Sequence, residues 1–566
     1  MATIGPYHKT LPHITKDNWR DLAAQKREKQ AQLIPAAWRL KPDLIEQAGD
    51  DVTGVAVQSG ILSARELEIT ELDEVQELAK RIADKTYKAE EVAVAFSKRA
   101  AIAQQLTNCL TEIFFQEAIQ RAKELDEILA RTGKPVGPLH GVPVSLKDQF
   151  DIAGTELTQG YVAYLGRISE RDSALVVLLR DSGAVFHCRT NLPQTLMIGD
   201  AFNHVFGRTT NPHCRKLVPG GSSGGEGALI AMKGSILGVG TDIGGSVRIP
   251  SAMCGLHTIR PTTRRVPYGH ATGSMLGQES IVAVAGPMAR SLNSCTYFMR
   301  TVLNKNPGDY DATSLPFAFD ETAYGRPSQA GKLSFGVMRT DYLVTPSPPI
   351  RRALELSIER VRAAGHEVIE FDAKDFNEYY ALALKFFSAD GGEDVRSILA
   401  AIDEPLIDGV LVAAEDAKVP SVYALWQLNR AREAMQQKFL DRWLGTAKET
   451  STGRPIDGLL APPAPITACL PGNNRHVGYT TFFNLLDLPA VVFPITKVDP
   501  AKDVADADFQ ALSEEDEKFR SEYDAQLTAN VPAAVQLVGR RWRDEELLGL
   551  GEIVADLCDS KNWKKQ

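Results

Sequence analysis

Residues 218–227, Val218-Pro219-Gly220-Gly221-Ser222-Ser223-Gly224-Gly225-Glu226-Gly227, have the texture of a flexible linker, and a second glycine–serine knot follows at Thr241-Asp242-Ile243-Gly244-Gly245-Ser246. A linker stays polar throughout. Here the knots are separated by Ala228-Leu229-Ile230-Ala231-Met232 and Ile236-Leu237-Gly238-Val239, apolar runs that read as buried helix and buried strand. A phosphate cradle would need GxxxxGK followed by Ser or Thr, or GxGxxG, in a strand-turn-helix context; neither string occurs in the segment.

Gly221-Ser222-Ser223-Gly224-Gly225 does satisfy G-x-S-x-G, the nucleophile elbow of α/β-hydrolases, which would make Ser223 the nucleophile. The string is short, and Ser223-Gly224-Gly225-Glu226 equally fits an S-x-x-E capping box ahead of an apolar helix. The cap is the stronger of the two readings, because no sequence around His257, His270, His366 or His476 marks a catalytic base. In the second knot, a strand ends at Thr241-Asp242 and Ile243-Gly244-Gly245-Ser246 turns sharply. Successive backbone N–H groups can then converge on one point beside a serine, as an oxyanion hole requires. Taken alone, the tetrapeptide fits a structural glycine turn more readily than a site.

Outward from these knots, helix and strand alternate. Ser173–Arg180 reads as a helix and Ala184–Thr190 as a strand; KLSFGVM from Lys332, a helix over 350–364 and HEVIEF from His366 repeat the pattern. Gly141-Val142-Pro143-Val144-Ser145-Leu146-Lys147-Asp148 reads as a strand running into a polar pair. Such alternation predicts an α/β fold, a mixed central sheet covered by helices on both faces. The first hundred residues read as a helical region, with LDEVQELAKRIADK from Leu72 and AEEVAVAFSKRAAIAQQ from Ala89 at helical spacing, and Glu112–Arg131 is expected to continue the helices. Residues 505–522, rich in Asp and Glu, are expected to be a solvated excursion.

Composition narrows the function. At 566 residues the chain has room for about two to four domains. Apolar residues make up 44% and charged residues 24%, as in soluble globular proteins. A net charge of −9 with no basic cluster argues against nucleic acid as partner. No apolar stretch approaches the roughly 18 residues of a membrane span, and residues 1–16 lack the apolar core of a signal peptide, so a cytoplasmic location is the default expectation. The seven cysteines never form CxxC and the ten histidines give no HExxH, so reduced thiols, no metal and no cofactor are expected.

Read together, Gly141–Asp148, GGSSGGEGALI from Gly220 and GTDIGGSVRIPSAMCGL from Gly240 resemble the amidase signature family, and the order and spacing match. Lesser likenesses at Thr190–Gln194 and Val535–Trp542 extend the resemblance from about Leu72 to the end of the chain, and KDQF from Lys147 with Phe483–Ala490 is closest to fungal acetamidase-type members. The resemblance implies a catalytic domain over 101–566 on which 1–100 pack as a helical extension. It also implies a triad of Lys147, a cis-peptide serine at Ser222 and a nucleophile at Ser246. It implies an oxyanion hole of N–H groups at Ile243, Gly244, Gly245 and Ser246, with the Leu196 carbonyl near the scissile group. One departure stands out: His257-Thr258-Ile259-Arg260-Pro261 replaces the usual Lys-Pro after Cys254-Gly255-Leu256 and puts local packing in question.

The residue types suit amide hydrolysis. Serine is a weak nucleophile until a base takes its proton, and a lysine can be that base only when burial lowers a pKa of about 10.4. Ser222 would relay the proton, while Asp242 and Arg248 read as scaffolding of the turn and Cys254 as core. Segment 370–445 carries Phe376, Tyr379, Tyr380, Phe386, Phe387, Tyr423 and Trp426, with Ser421 as a helix cap. Some of these aromatics would line an apolar pocket for an aryl or medium acyl group, and the alternative, that they serve as helix core, fits the spacing at least equally well. The substrate expected is a small-molecule amide, and a homodimer is compatible with the sequence. A glutaminase-type subunit of an amidotransferase complex and a catalytically silent binding protein of the same fold are the rival readings.

Overall fold

A computed structural model describes residues 13–414 and 416–566. Its centre is a mixed sheet of eleven strands: β1 (Leu110–Ile113), β2 (Pro143–Lys147), β3 (Val185–Thr190), β4 (Leu237–Asp242), β5 (His257–Arg260), β6 (Val284–Ala289), β7 (Ser334–Val337), β8 (Glu367–Glu370), β9 (Gly458–Ala461), β10 (Ala490–Lys497) and β11 (Pro532–Val538). Their order across the sheet is β1-β3-β2-β4-β6-β5-β10-β11-β9-β7-β8. Strands β3, β2 and β4 run parallel to one another, as do β9, β7 and β8, while the strands between are antiparallel. Helices surround the sheet. β2, β3 and β4 are buried along their whole length, as the near-continuous apolar runs of parallel strands require.

The helices Ala64–Glu71 and Val75–Ala83 belong to the same core as the sheet. Ile69, Val75, Leu78 and Ile82 pack in one cluster with Val144 and Leu146 of β2. A capping box at Ser63 and Glu66 starts the helix Ala64–Glu71.

Two sequence expectations change. Glu112 does not begin a helix: Leu110–Ile113 form β1, antiparallel to β3, and the helix starts only at Phe115. β-branched Thr111 and Ile113 suit the extended backbone, and the half-buried Glu112 carboxylate meets Lys26 at 2.6 Å. Part of the acidic excursion is also structured. Glu514–Glu522 form a helix capped by Ser513. Asp516 turns inward to accept from the Thr345 N–H and hydroxyl, and Phe519 packs against the cluster holding Val218 and Ile249. Among the described residues, no helix is long and apolar enough to cross a membrane.

Candidate active site

The site forms at the carboxyl ends of two adjacent parallel strands, where open α/β sheets place their ligands. β2 ends at Lys147 and β4 at Asp242, with Leu146 opposite Val239. Lys147 is wholly buried. Its Nζ lies 2.7 Å from Ser222 Oγ and 2.9 Å from Thr241 Oγ1, and the Thr241 hydroxyl in turn donates to Gln149 Oε1 at 2.6 Å. No carboxylate pairs with it among the described residues. Neighbouring Asp148 instead faces Arg189 at 3.5 Å and accepts from Thr158 and from the Gln159 N–H. Burial pushes the Lys147 amine down to about 7, against the weaker opposing pull of Asp242 and Glu226.

Ser222 follows a cis peptide bond at Gly221 and is buried. A side chain on Gly221 would stand 2.0 Å from the Asp200 carbonyl, so only glycine fits there. Ser223 occupies the N-cap position of the helix Gly224–Ala231 but makes no side-chain cap. The capping-box reading is therefore corrected. The Ser223 hydroxyl instead accepts from the Thr241 N–H and donates to the Thr241 carbonyl, and its N–H donates to the Ser246 carbonyl at 3.1 Å. Its expected capping partner, Glu226, is wholly buried and accepts from Ser145 and Thr190 at 2.6 and 2.9 Å. Packing of the helix start onto the sheet draws both side chains away from the helix end, Ser223 to β4 and Glu226 to β2 and β3.

The turn after β4 is fixed from behind. Asp242 accepts from the Gly245 and Val247 N–H groups, from Arg248 Nε and Nη2 at 3.0 Å each, and from Asn484 Nδ2 at 2.8 Å. Burial works to raise its pKa; the Arg248 guanidinium beside it outweighs that, and the carboxyl sits below its usual range. The hydroxyls of Thr480 and Thr481 both donate to the Gly244 carbonyl, at 2.6 and 3.0 Å. Gly245 has φ of +132°, and a Cβ there would meet Thr480 Oγ1 at 2.2 Å.

Of the four N–H groups expected in the oxyanion hole, that of Gly245 is committed to Asp242 Oδ1 at 2.9 Å. Those of Ile243, Gly244 and Ser246 have no acceptor among the described residues. Ser246 itself is nearly buried, and no hydrogen bond joins its hydroxyl to Ser222 among the described residues.

Two cavities meet at Ser246. One, of about 30 Å³, is walled by apolar groups including Met197, Ile198, Ile249, Phe387 and Leu411. The other, of about 260 Å³, contains Ser222, Thr241, Gln149 and Tyr268. Leu196, Met197 and Ile243 line both. Leu196, with φ of +69°, follows Thr195 at +68°.

Of the seven aromatics of segment 370–445 from which some pocket-lining rings were expected, only Phe387 lines either cavity. Phe376, Tyr379 and Phe386 pack in the core with Phe439 and Trp443, Tyr380 is buried against His476, and Tyr423 and Trp426 are exposed at 67% and 61%. Ser421 does cap its helix, accepting from the Ala424 N–H. All seven cysteines are free thiols, and Cys254 is buried. Sequence reasoning gave no role to Thr241, Gln149, Thr480, Thr481 or Asn484. Gln149 and Asn484 stand in segments already singled out, but nothing local marks them as facing the site.

An amidase family model matches residues 91–548. An acetamidase of Aspergillus oryzae is 39% identical over 548 residues, spanning 95% of this chain and 99% of that protein. One of Emericella nidulans is 38% identical over 544 residues, with 95% and 98% covered. Among solved structures, a fatty acid amide hydrolase superposes with a TM-score of 0.89 at 33% identity, over 98% of both chains. Long family match, near full-length relatives and shared fold agree: the chain belongs to the amidase signature family and is an amide-hydrolysing enzyme.

Proposed function

We propose that the enzyme hydrolyses small carboxylic amides through an acyl-Ser246 intermediate, with Ser222 as proton relay and Lys147 as base. The observation that carries this reading is the 2.7 Å contact between Ser222 Oγ and a buried lysine with no counter-ion among the described residues. With Lys147 neutral, Ser222 gives its proton to Nζ and takes that of Ser246 as Ser246 Oγ attacks the carbonyl carbon. The resulting oxyanion is held by the N–H groups of Ile243, Gly244 and Ser246; losing one such donor typically costs about 3 kcal/mol. The C–N bond then breaks as Ser222 returns a proton to the nitrogen and is recharged by Lys147. Ammonia or amine leaves. Water repeats the sequence on the acyl-serine and releases the carboxylate. In this reading residues 101–566 carry the catalysis, the first hundred pack against them, and segment 370–445 contributes Phe387 and Leu411 to the substrate wall.

The same chemistry assigns the two cavities. A leaving nitrogen protonated by Ser222 lies on the Ser222 side, in the cavity of about 260 Å³. The acyl group then occupies the apolar cavity of about 30 Å³, which has room for little more than one small group. This favours short acyl chains, acetyl first, over the aryl or medium acyl group expected from the aromatic-rich segment. Relatives named acetamidases support the same direction.

Labelling with a fluorophosphonate followed by peptide mass spectrometry tests the mechanism. The adduct is expected on Ser246; an adduct on Ser223, or none from a preparation that hydrolyses amides, overturns it.

A further inference from the structure

Behind Lys147 stands Gln149, buried at the edge of the larger cavity. Its side-chain amide has a donor end and an acceptor end, and the fold fixes which faces where. Nε2 donates to the Thr272 carbonyl at 2.9 Å, while the Thr272 N–H donates back to the Gln149 carbonyl at 2.8 Å. A backbone carbonyl only accepts, so the amide cannot be turned round there. Oε1 is thereby aimed at the Thr241 hydroxyl, 2.6 Å away.

That orientation decides what Thr241 offers the lysine. An amide oxygen has no proton to give, so the one proton of the Thr241 hydroxyl goes to Gln149. Oγ1 is left to accept from Lys147 Nζ at 2.9 Å. A neutral amine has two N–H bonds and one lone pair. With an N–H spent on Thr241, the lone pair is left for the Ser222 hydroxyl at 2.7 Å. Released from Gln149, the Thr241 hydroxyl could rotate and donate to that same lone pair in place of Ser222.

We infer that Gln149 is a positioning residue for catalysis: by taking the Thr241 proton, it keeps the Lys147 lone pair open to Ser222. This role rests on the reading of Lys147 as the base. The ionisable groups around the amine are otherwise engaged. Asp242 is held by Arg248, Asp148 faces Arg189, and Glu226 accepts from Ser145 and Thr190. Burial pushes the Tyr268 phenol up to about 12, so it stays neutral beside Gln149. Burial also brings the Glu226 carboxyl up to about 8, within the range the amine titrates, and so variants that leave Glu226 in place are compared with one that removes Lys147.

The pH–rate profile of Gln149→Leu on acetamide tests the role, with Lys147→Ala beside it. The plateau kcat is expected to fall roughly tenfold, the order of one hydrogen bond. The acid limb is expected to lie about one pH unit lower, because a donating Thr241 stabilises the neutral amine. Adding Thr241→Val to Gln149→Leu should restore most of the lost rate, since no competing hydroxyl remains. A merely structural gap would admit water, resolvate the ammonium and move the limb upward; that result overturns the role, as do losses that add in the double variant. Should Gln149→Leu fail to fold, Gln149→Glu decides: a carboxyl oxygen still accepts from Thr241, so the parent's plateau is expected, and a tenfold loss overturns the role. An acid limb that survives in Lys147→Ala overturns the base and the Gln149 role together. A limb lost there but unmoved in Gln149→Leu overturns the Gln149 role alone.

Discussion

The Lys147 amine and the Ser222 hydroxyl stand 2.7 Å apart, 75 residues apart in the chain, at a depth where the lysine has no solvent exposure. Burial, outweighing Asp242 and Glu226, brings the amine to about 7. As the proposed base, Lys147 acts only when neutral, so kcat/KM is expected to rise with pH through about 7 and level off above it. A pH–rate profile on acetamide checks this. Lys147→Ala should lose about 10² to 10⁴-fold, the span of a general base, and lose that acid limb with it; a limb of unchanged midpoint in the variant would assign it to another group.

The same burial carries a stability cost. Since the folded pKa of Lys147 lies below its unfolded value, the unfolded chain binds more protons between about 7 and 10.5, and this contribution to stability rises with pH across that window. The penalty is complete below the folded pKa. Lys147→Met, of similar length and without charge, is therefore expected to be inactive yet to melt at a higher temperature than the parent at pH 7. Calorimetry at that pH decides it, and a lower Tm would mean that the hydrogen bonds to Ser222 and Thr241 outweigh desolvation.

Acyl length should answer to Phe387. In the apolar cavity of about 30 Å³ it is the one large ring in the wall. Phe387→Ala is expected to raise kcat/KM for hexanamide relative to acetamide by roughly tenfold, the order of one or two methylenes in an apolar pocket. An unchanged ratio would place the acyl group in the other cavity.

His476 gives the fold an alkaline limit. Its Nε2 lies 2.5 Å from Asp341 and its Nδ1 3.3 Å from Glu515, in the segment whose Asn474, Arg475 and Val477 wall the apolar cavity. Burial would lower its pKa, but the two carboxylates prevail and raise it to about 9. With the folded pKa above the unfolded one, its contribution is complete below about 6.5 and is lost as pH rises through 9. Because Lys147 contributes in the opposite direction over much of the same range, the comparison isolates His476: between pH 6 and 10 the Tm of the parent is expected to drop relative to that of His476→Gln.

How far the sequence spoke depended on whether the chemistry was local. Strands β2, β3 and β4 were legible because buried parallel strands are written as apolar runs, and the glycines at 221 and 245 because a side chain at either would strike Asp200 or Thr480. Lys147, Ser222 and Ser246 were singled out through resemblance to a family, since neither spacing nor composition alone separated Ser222 from Ser223, and their roles remain the proposal made above. What stayed hidden was set by long-range contacts. Asp242 claims the Gly245 N–H only because Arg248 and Asn484, the latter 242 residues away, hold its carboxylate in place. The aromatic-rich segment misled for the same reason: which rings meet substrate and which fill the core is decided by the packing of the helices Phe376–Phe387 and Val422–Gly445, and helical spacing is identical for both.

A lysine with no counter-ion among the described residues, about half uncharged at pH 7 and hydrogen-bonded to Ser222 and Thr241 in the wall of the cavity of about 260 Å³, is also a free amine among many protonated ones. Reagents that carbamylate or acylate unprotonated amines, and that are small enough to pass Ser222 and Thr241, should find Lys147 first. The property that would let the residue take a proton from serine, as proposed, thus makes it the point at which cyanate or dissolved carbon dioxide would silence the enzyme.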